Sequence, residues 1–174
     1  FYDNRYWYIA KVPYSNAAYK EVAFELSKYI NAIQGKTKKC LILDCDNILW
    51  GGIIGEDGIN KIRLSAEYPG NQYLEFQKEI IKLYNRGIII ALCSKNNEED
   101  VWNVFENHPD MQLKRKHIVS YRINWKNKAE NIYAISKDLN IGLDSIVFID
   151  DNEFEIELVK NQLSDVTCLL FSKN

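Results

Sequence analysis

Two aspartates separated by one residue, Asp44 and Asp46, end the apolar stretch "LILDCDNILWGG". On a strand of period two both carboxylates project to the same side and Cys45 points away. Such a pair can divide labour: one carboxylate attacks an electrophile while the other moves a proton to or from the leaving group. Further along, Ser94, Lys95 and Asn96 follow a second apolar run, Asn124 and Lys128 follow a weaker one, and Asp150, Asp151 and Asn152 follow another. Each of these residues has an ordinary alternative. An aspartate after a strand is most often a cap or turn residue, Ser94 and Asn96 can cap the next helix, and a lysine is usually solvated. Taken together they place several carboxylates at one edge, where mutual repulsion raises some of their pKa values unless a cation lies between them. A hard divalent cation with oxygen ligands, most simply Mg²⁺, removes that difficulty. With Lys128 it would offset charge on a transferring phosphoryl group, whose oxygens the Ser94 hydroxyl and nearby backbone N–H groups would hold.

The elements that must position these residues can be read from the hydrophobic pattern. The runs 40–44, 87–94, 145–150 and 166–171 are nearly all apolar, as strands buried on both faces are, and 117–121 makes a weaker fifth. Between them lie helical patterns: Tyr73, Phe76, Ile80 and Leu83; Val101, Trp102 and Phe105; and Ile132, Ile135 and Leu139. "FEIELV" (154–159) alternates like a strand, but Asn152 is a good N-cap and a parallel sheet needs a crossover helix there, so it is assigned as helix. The prediction is an α/β fold, a three-layer, doubly wound (Rossmann-like) parallel sheet of about five strands. In such sheets ligands bind at the carboxyl ends of the strands, where the polar residues sit. The glycines of the insert 48–64 predict a small β-hairpin flap beside the first strand. Upstream, Tyr19, Val22, Leu26, Ile30 and Ile33 have the spacing of a helix with one buried stripe, N-capped by Ser15 or Asn16. The chain is accordingly divided into an N-terminal extension, 1–38, and a catalytic domain, 39–174.

Composition limits the alternatives. The 174 residues are 47% hydrophobic and 26% charged, ordinary for a globular protein, and the net charge of −2 gives no general attraction to nucleic acid or a membrane. Four cysteines without metal-ligand spacing, and the lack of a leader or spanning run, point to a reducing, cytoplasmic setting. The aromatic-rich start at Phe1 reads as the beginning of a piece of a longer chain.

Order along the chain separates two phospho-domain classes. A response-regulator receiver carries its acceptor aspartate after the third strand and its lysine last, whereas here the paired aspartates come first and Lys128 precedes the final acidic pair. "LDCDNILWGGIIGEDG", "LCSKNNEEDVWNVFENHP", "INWKNKAENI" and "VFIDDNEFE" resemble, in order and spacing, the FkbH-like branch of the haloacid dehalogenase superfamily, over nearly the whole chain. The resemblance implies Asp44 as nucleophile and metal ligand, and Asp46 as general acid/base that also binds the metal through its carbonyl. It implies phosphoryl binding by Ser94 and Lys128, with Asp151 a direct Mg²⁺ ligand and Asp150 behind it. Asn47, Trp50, Gly51, Lys95, Asn96 and Asn124 are the candidate substrate contacts. One position departs from the pattern: Ile48 stands where the family usually has threonine, and activity is expected to survive because valine also occurs there.

The resemblance also implies a substrate: a glyceryl unit drawn from 1,3-bisphosphoglycerate, dephosphorylated and loaded onto an acyl carrier protein. Cys93 is the candidate acyl-carrying thiol, with a small hydrophobe at the end of a buried strand as its equal alternative. No large insertion resembles a cap domain, so the site is expected to be open. The run 114–117 could face an acidic carrier, although a solvated loop is the commoner meaning of such a run. Two other readings stand beside this one: a plain phosphatase of a sugar phosphate or phosphoprotein, and a catalytically weak binding module.

Overall fold

The computed structural model describes residues 2–35 and 37–172. They form two compact units, residues 1–37 and 38–174.

The first unit holds α1 (Asn4–Ala10) and α2 (Asn16–Ile33). Asp3 caps α1 by accepting from the Arg5 N–H at 3.0 Å, a short helix that the apolar pattern did not reveal. Ser15 caps α2, its Oγ accepting from the Ala18 N–H at 3.3 Å. The apolar stripe of α2 is not buried: Tyr19, Val22, Leu26, Ile30 and Ile33 are exposed, and Ala18 is the buried residue of the helix. Helical periodicity marks a face able to be buried and does not supply the surface that would bury it.

The second unit contains β1 (Cys40–Leu43), α3 (Ile54–Asp57), α4 (Gly70–Asn85), β2 (Ile89–Ser94), α5 (Glu98–Asn107), β3 (Ile118–Ile123), α6 (Lys128–Leu139), β4 (Ile146–Asp150), α7 (Glu153–Gln162) and β5 (Thr167–Leu170). The sheet is parallel throughout, in the order β3-β2-β1-β4-β5. Alternation along β1 explains the three layers. Leu41, Leu43 and Cys45 enter a core with Tyr73, Leu74 and Ile80 of α4 and Val101 and Phe105 of α5. Cys40 and Ile42 enter the opposite core with Ile132 and Ile135 of α6 and Ile156 and Val159 of α7. The strand order reverses at β1, so the crevice beyond the carboxyl ends of β1 and β4 is the topological switch point. The segment 154–159 is helical, because the β4-to-β5 connection is a parallel crossover.

The insert after β1 differs from the expected hairpin. A single antiparallel bridge, Gly51 with Arg63, closes it through backbone hydrogen bonds of 3.0 and 2.7 Å, and its tip is the helical turn α3 rather than paired strands. Its first residues do not cover the crevice. Ile48, Leu49 and Trp50 are fully buried in the core shared with α4 and α5, and the Trp50 ring meets Phe105 edge-on at 6.4 Å. Burying three large apolar side chains outweighs leaving them over a polar cleft.

A buried amide ties this region together. Gln77 of α4, fully inaccessible, donates to the Leu49 carbonyl at 2.7 Å and accepts from the Gln112 and Leu113 N–H groups at 2.9 and 3.0 Å. Replacing it with leucine strands two buried backbone groups, the Leu49 carbonyl and the Leu113 N–H, and frees the Gln112 N–H. Gln77→Leu is expected to lower unfolding stability by about 3 kcal/mol, read as a lower urea midpoint at unchanged slope.

Candidate active site

Asp44 lies one residue past β1, its N–H donating to the Ile149 carbonyl of β4 at 3.0 Å, and this continuation of the ladder carries its carboxylate into the switch-point crevice. Ser94, the last residue of β2, donates its hydroxyl to Asp44 Oδ1 at 2.6 Å. Lys128, the first residue of α6, places Nζ 3.0 Å from the same oxygen and 2.6 Å from Asp150 Oδ2 at the end of β4. All four residues are buried. A cation at a helix N-terminus opposes the helix dipole, and two carboxylates hold this one there. Burial alone would depress the Lys128 ammonium, but the charges of Asp44 and Asp150 outweigh it and hold it above the ordinary lysine value. One ammonium cannot satisfy two buried carboxylates. Burial first, and then the charge of Asp44, push Asp150 up to about 6 despite its ion pair.

Asp46 sits in a cradle of its own. Its Oδ1 accepts from Trp50 Nε1 at 2.9 Å and the Ile54 N–H at 3.1 Å, and its Oδ2 from Asn96 Nδ2 at 3.0 Å. Burial raises its pKa, while those three donors work in the other direction. The same Asn96 amide lies 3.1 Å from Ser94 Oγ, so one side chain links the hydroxyl beside Asp44 to the carboxylate of Asp46. Ile48 leaves no orphan in this network, since it faces the core and Asp46 is held by other donors.

Asp44, Asp150 and Asp151 each offer an oxygen within 4.8 Å of the others. This all-oxygen donor set, with more buried negative charge than Lys128 can offset, fits a hard divalent cation. Both oxygens of Asp150 already accept, Oδ2 from Lys128 and Oδ1 from the Asn152 N–H at 2.9 Å. The open cleft over these groups has a volume of about 710 Å³ and is lined by Asp44, Asp46, Asn47, Ser94, Lys95, Asn96, Lys128, Asp150 and Asp151 from the sequence-based set.

Four residues of that set lie elsewhere. Trp50 is in the core and reaches the site only through its N–H to Asp46. Gly51 does not line the cleft; a Cβ on it would lie 2.7 Å from the Tyr73 ring, so glycine there serves helix packing. Asn124 pairs with Asn131 of α6, donating and accepting at 3.4 and 2.9 Å, and splints the β3–α6 turn. Cys93 is fully buried against α6, its Sγ 3.8 Å from the Lys128 carbonyl, and burial pushes its thiol up to about 12. Among the described residues no cysteine lines the cleft.

The cleft also holds residues that the sequence reading passed over: Glu155 in the first turn of α7, and Trp125, 69% exposed. For Glu155 a signal existed. It lies four residues past Asp151, a spacing that brings a first-turn side chain back toward the end of the preceding strand.

A family model for NLI interacting factor-like phosphatases matches residues 39–167. The chain belongs to the NLI interacting factor-like phosphatase family. Among solved structures, the N-terminal, phosphatase-domain-containing part of a Bacteroides fragilis protein, complexed with Mg, is similar over 97% of this chain and 45% of its own, at 44% identity and a TM-score of 0.85. This chain therefore spans less than half the length of that one. A haloacid dehalogenase family enzyme of Bacteroides thetaiotaomicron, in a magnesium complex, shares the fold at 16% identity and a TM-score of 0.54, over 76% of this chain and 92% of its own. A haloacid dehalogenase superfamily hydrolase of Geobacter sulfurreducens does so at 14% identity and a TM-score of 0.52, over 77% and 89%. No curated protein matches the chain. Among the described residues no helix is long and apolar enough to cross a membrane.

Two outcomes check this geometry. Trp50→Phe keeps the buried ring but removes the N–H donor to Asp46, and is expected to lower kcat about tenfold, the loss of one hydrogen bond to a charged group, as Mg²⁺-dependent release of p-nitrophenol from its phosphate monoester. With Ellman's reagent, at most one thiol of the native protein, Cys168, should react within minutes, and four should react in urea, because the other three are buried.

Proposed function

We propose that this chain is a Mg²⁺-dependent phosphatase of phosphomonoesters that works through an aspartyl-phosphate on Asp44. The observation that carries the reading is the shared Oδ1 of Asp44, gripped by Ser94 at 2.6 Å and Lys128 at 3.0 Å, with Asp46 held apart in its own set of donors. Those grips fix the plane of the Asp44 carboxylate at the floor of the cleft. A carboxylate oxygen of Asp44 attacks phosphorus, the bond to the alcohol oxygen breaks, and Asp46 supplies the proton that the departing oxygen requires. Asp46, now ionised, takes a proton from the water that attacks the aspartyl-phosphate, which returns the Asp44 carboxylate and inorganic phosphate. Ser94 and Lys128 donate to the phosphoryl oxygens as charge builds on them. Asp44 and Asp151, with Asp150 behind them, would hold Mg²⁺, which as a Lewis acid offsets the charge of the phosphoryl group.

The finer reading, with a glyceryl phosphate as substrate and an acyl carrier protein as acceptor, rests on the FkbH-like resemblance. In that reading this chain removes phosphate. Any thioester sulfur must come from the carrier, because Cys93 is sealed under α6. A carrier-bound arm requires an open entrance, and the cleft has one.

Asp44→Asn is expected to reduce phosphate release at least a thousandfold, and EDTA to abolish it reversibly, in a malachite-green assay with p-nitrophenyl phosphate and 3-phosphoglycerate. Full turnover by Asp44→Asn would overturn the nucleophile assignment. Phosphate release from 1,3-bisphosphoglycerate without a mass increase on an added carrier would remove the acyl-transfer extension and leave the phosphatase.

A further inference from the structure

Lys95 is the second lysine of the cleft, and the phosphoryl chemistry proposed above does not use it. Its neighbour Ser94 faces Asp44, but the Lys95 ammonium turns the other way and meets Glu155 Oε1 at 2.5 Å. The two partners differ in accessibility. Glu155 is anchored in the first turn of α7 with a side chain 6% exposed, whereas that of Lys95 is 35% exposed and lines the cleft. A lysine ammonium has three N–H donors, and this carboxylate oxygen takes one. The pair therefore holds a cation at a set place in the cleft with donors to spare. Lys128 is buried between Asp44 and Asp150 and in the proposed chemistry its remaining N–H donates to the phosphoryl oxygens, so it is not available to the far end of a substrate.

The surroundings make this placement selective. Glu56 and Glu153 also line the cleft, as do the apolar groups Ile53 and Trp125, the latter tethered by its Nε1 to Asn97 Oδ1 at 3.3 Å. An anionic substituent on the leaving group would meet a cation beside Lys95 and be repelled where Glu56 and Glu153 line the cleft. An uncharged leaving group would feel neither effect.

We infer that Lys95, held in place by Glu155, is the specificity-determining residue for the leaving group, and that it selects phosphomonoesters bearing a second anionic group such as a carboxylate. The inference rests on the phosphatase reading for the position of the phosphoryl end. Lys95 reads the far end of the substrate, and Glu155 is a positioning residue that acts through it.

Two matched pairs of probes test it. The first is 4-carboxyphenyl phosphate against 4-carbamoylphenyl phosphate, compared by kcat/KM at saturating Mg²⁺. The second is the corresponding non-hydrolysable benzylphosphonates, compared by calorimetric Kd. The wild-type chain should favour the carboxylate in both pairs. Lys95→Met should reduce the carboxylate-to-amide ratio about tenfold, and Lys95→Arg should restore most of it, which a merely structural role for the side chain would not do. An unchanged ratio in Lys95→Met, or no wild-type preference for the carboxylate, overturns the inference. If the wild-type chain binds the carboxylate phosphonate preferentially but turns over neither ester, the phosphatase reading falls while the assignment of Lys95 stands.

Discussion

One buried ammonium between two buried carboxylates organises this molecule. Lys128 lies 3.0 Å from Asp44 and 2.6 Å from Asp150, and all three are shielded from water. Removing Lys128 leaves two buried carboxylates uncompensated, an outcome that costs several kcal/mol. The three come from β1, β4 and the start of α6, so this short triangle requires β1 and β4 to be neighbours with their carboxyl ends level. The register that pairs Leu43 with Ile149 meets that demand, and Asp44 extends it by donating to the Ile149 carbonyl. The ion triplet remains one positive charge short of neutrality. That deficit is the physical reason a divalent cation suits the site, and Asp151 offers it a further carboxylate oxygen.

The neighbouring carboxylate is handled differently. Asp46 has no lysine; neutral donors from the Trp50 ring, the Ile54 backbone and the Asn96 amide surround it. Two aspartates of the same type, two residues apart, thus receive different environments, one ion-paired and one cradled by dipoles, as different chemical tasks require. The loop that delivers two of those donors is kept in place from beneath. Trp50 and Ile48 anchor it in the core, Gln77 holds the Leu49 carbonyl, and the close approach of Gly51 to Tyr73 seats it on α4. Parts of the chain that never touch the cleft therefore govern the position of Asp46.

Much of the fold was legible because buried parallel strands are written as uninterrupted apolar runs, and the five runs correspond to the five strands of the sheet. The helical assignment of 154–159 followed from topology rather than propensity: two parallel neighbours cannot be joined without a crossover. In the site, Asp44, Asp46, Ser94, Lys128, Asp150 and Asp151 were legible since each follows an apolar run, and strand ends in such a sheet meet along one edge. Asn124 was read as chemistry because it too follows an apolar run, and Trp50, Gly51 and Cys93 because they lie close in sequence to those residues. Their actual directions are set by Phe105, Tyr73, Asn131 and the α6 backbone, distant partners that local spacing does not encode. The apolar stripe of α2 carries the same lesson in the other direction, since periodicity describes one face of a helix and nothing of what lies against it.

By itself, then, the sequence determined the strands, the crossover helices and which side chains reach the carboxyl edge, because periods of two and 3.6 residues are local consequences of backbone geometry. It also determined that carboxylates and a lysine would gather there. Only the tertiary structure decided which carboxylates share the lysine, that Asp46 is held by a tryptophan from the core, that Cys93 is sealed away, and that Lys95 is held by Glu155 sixty residues further along the chain. These are choices among partners remote in sequence. They are settled when packing excludes water and every buried polar group must find its partner in three dimensions.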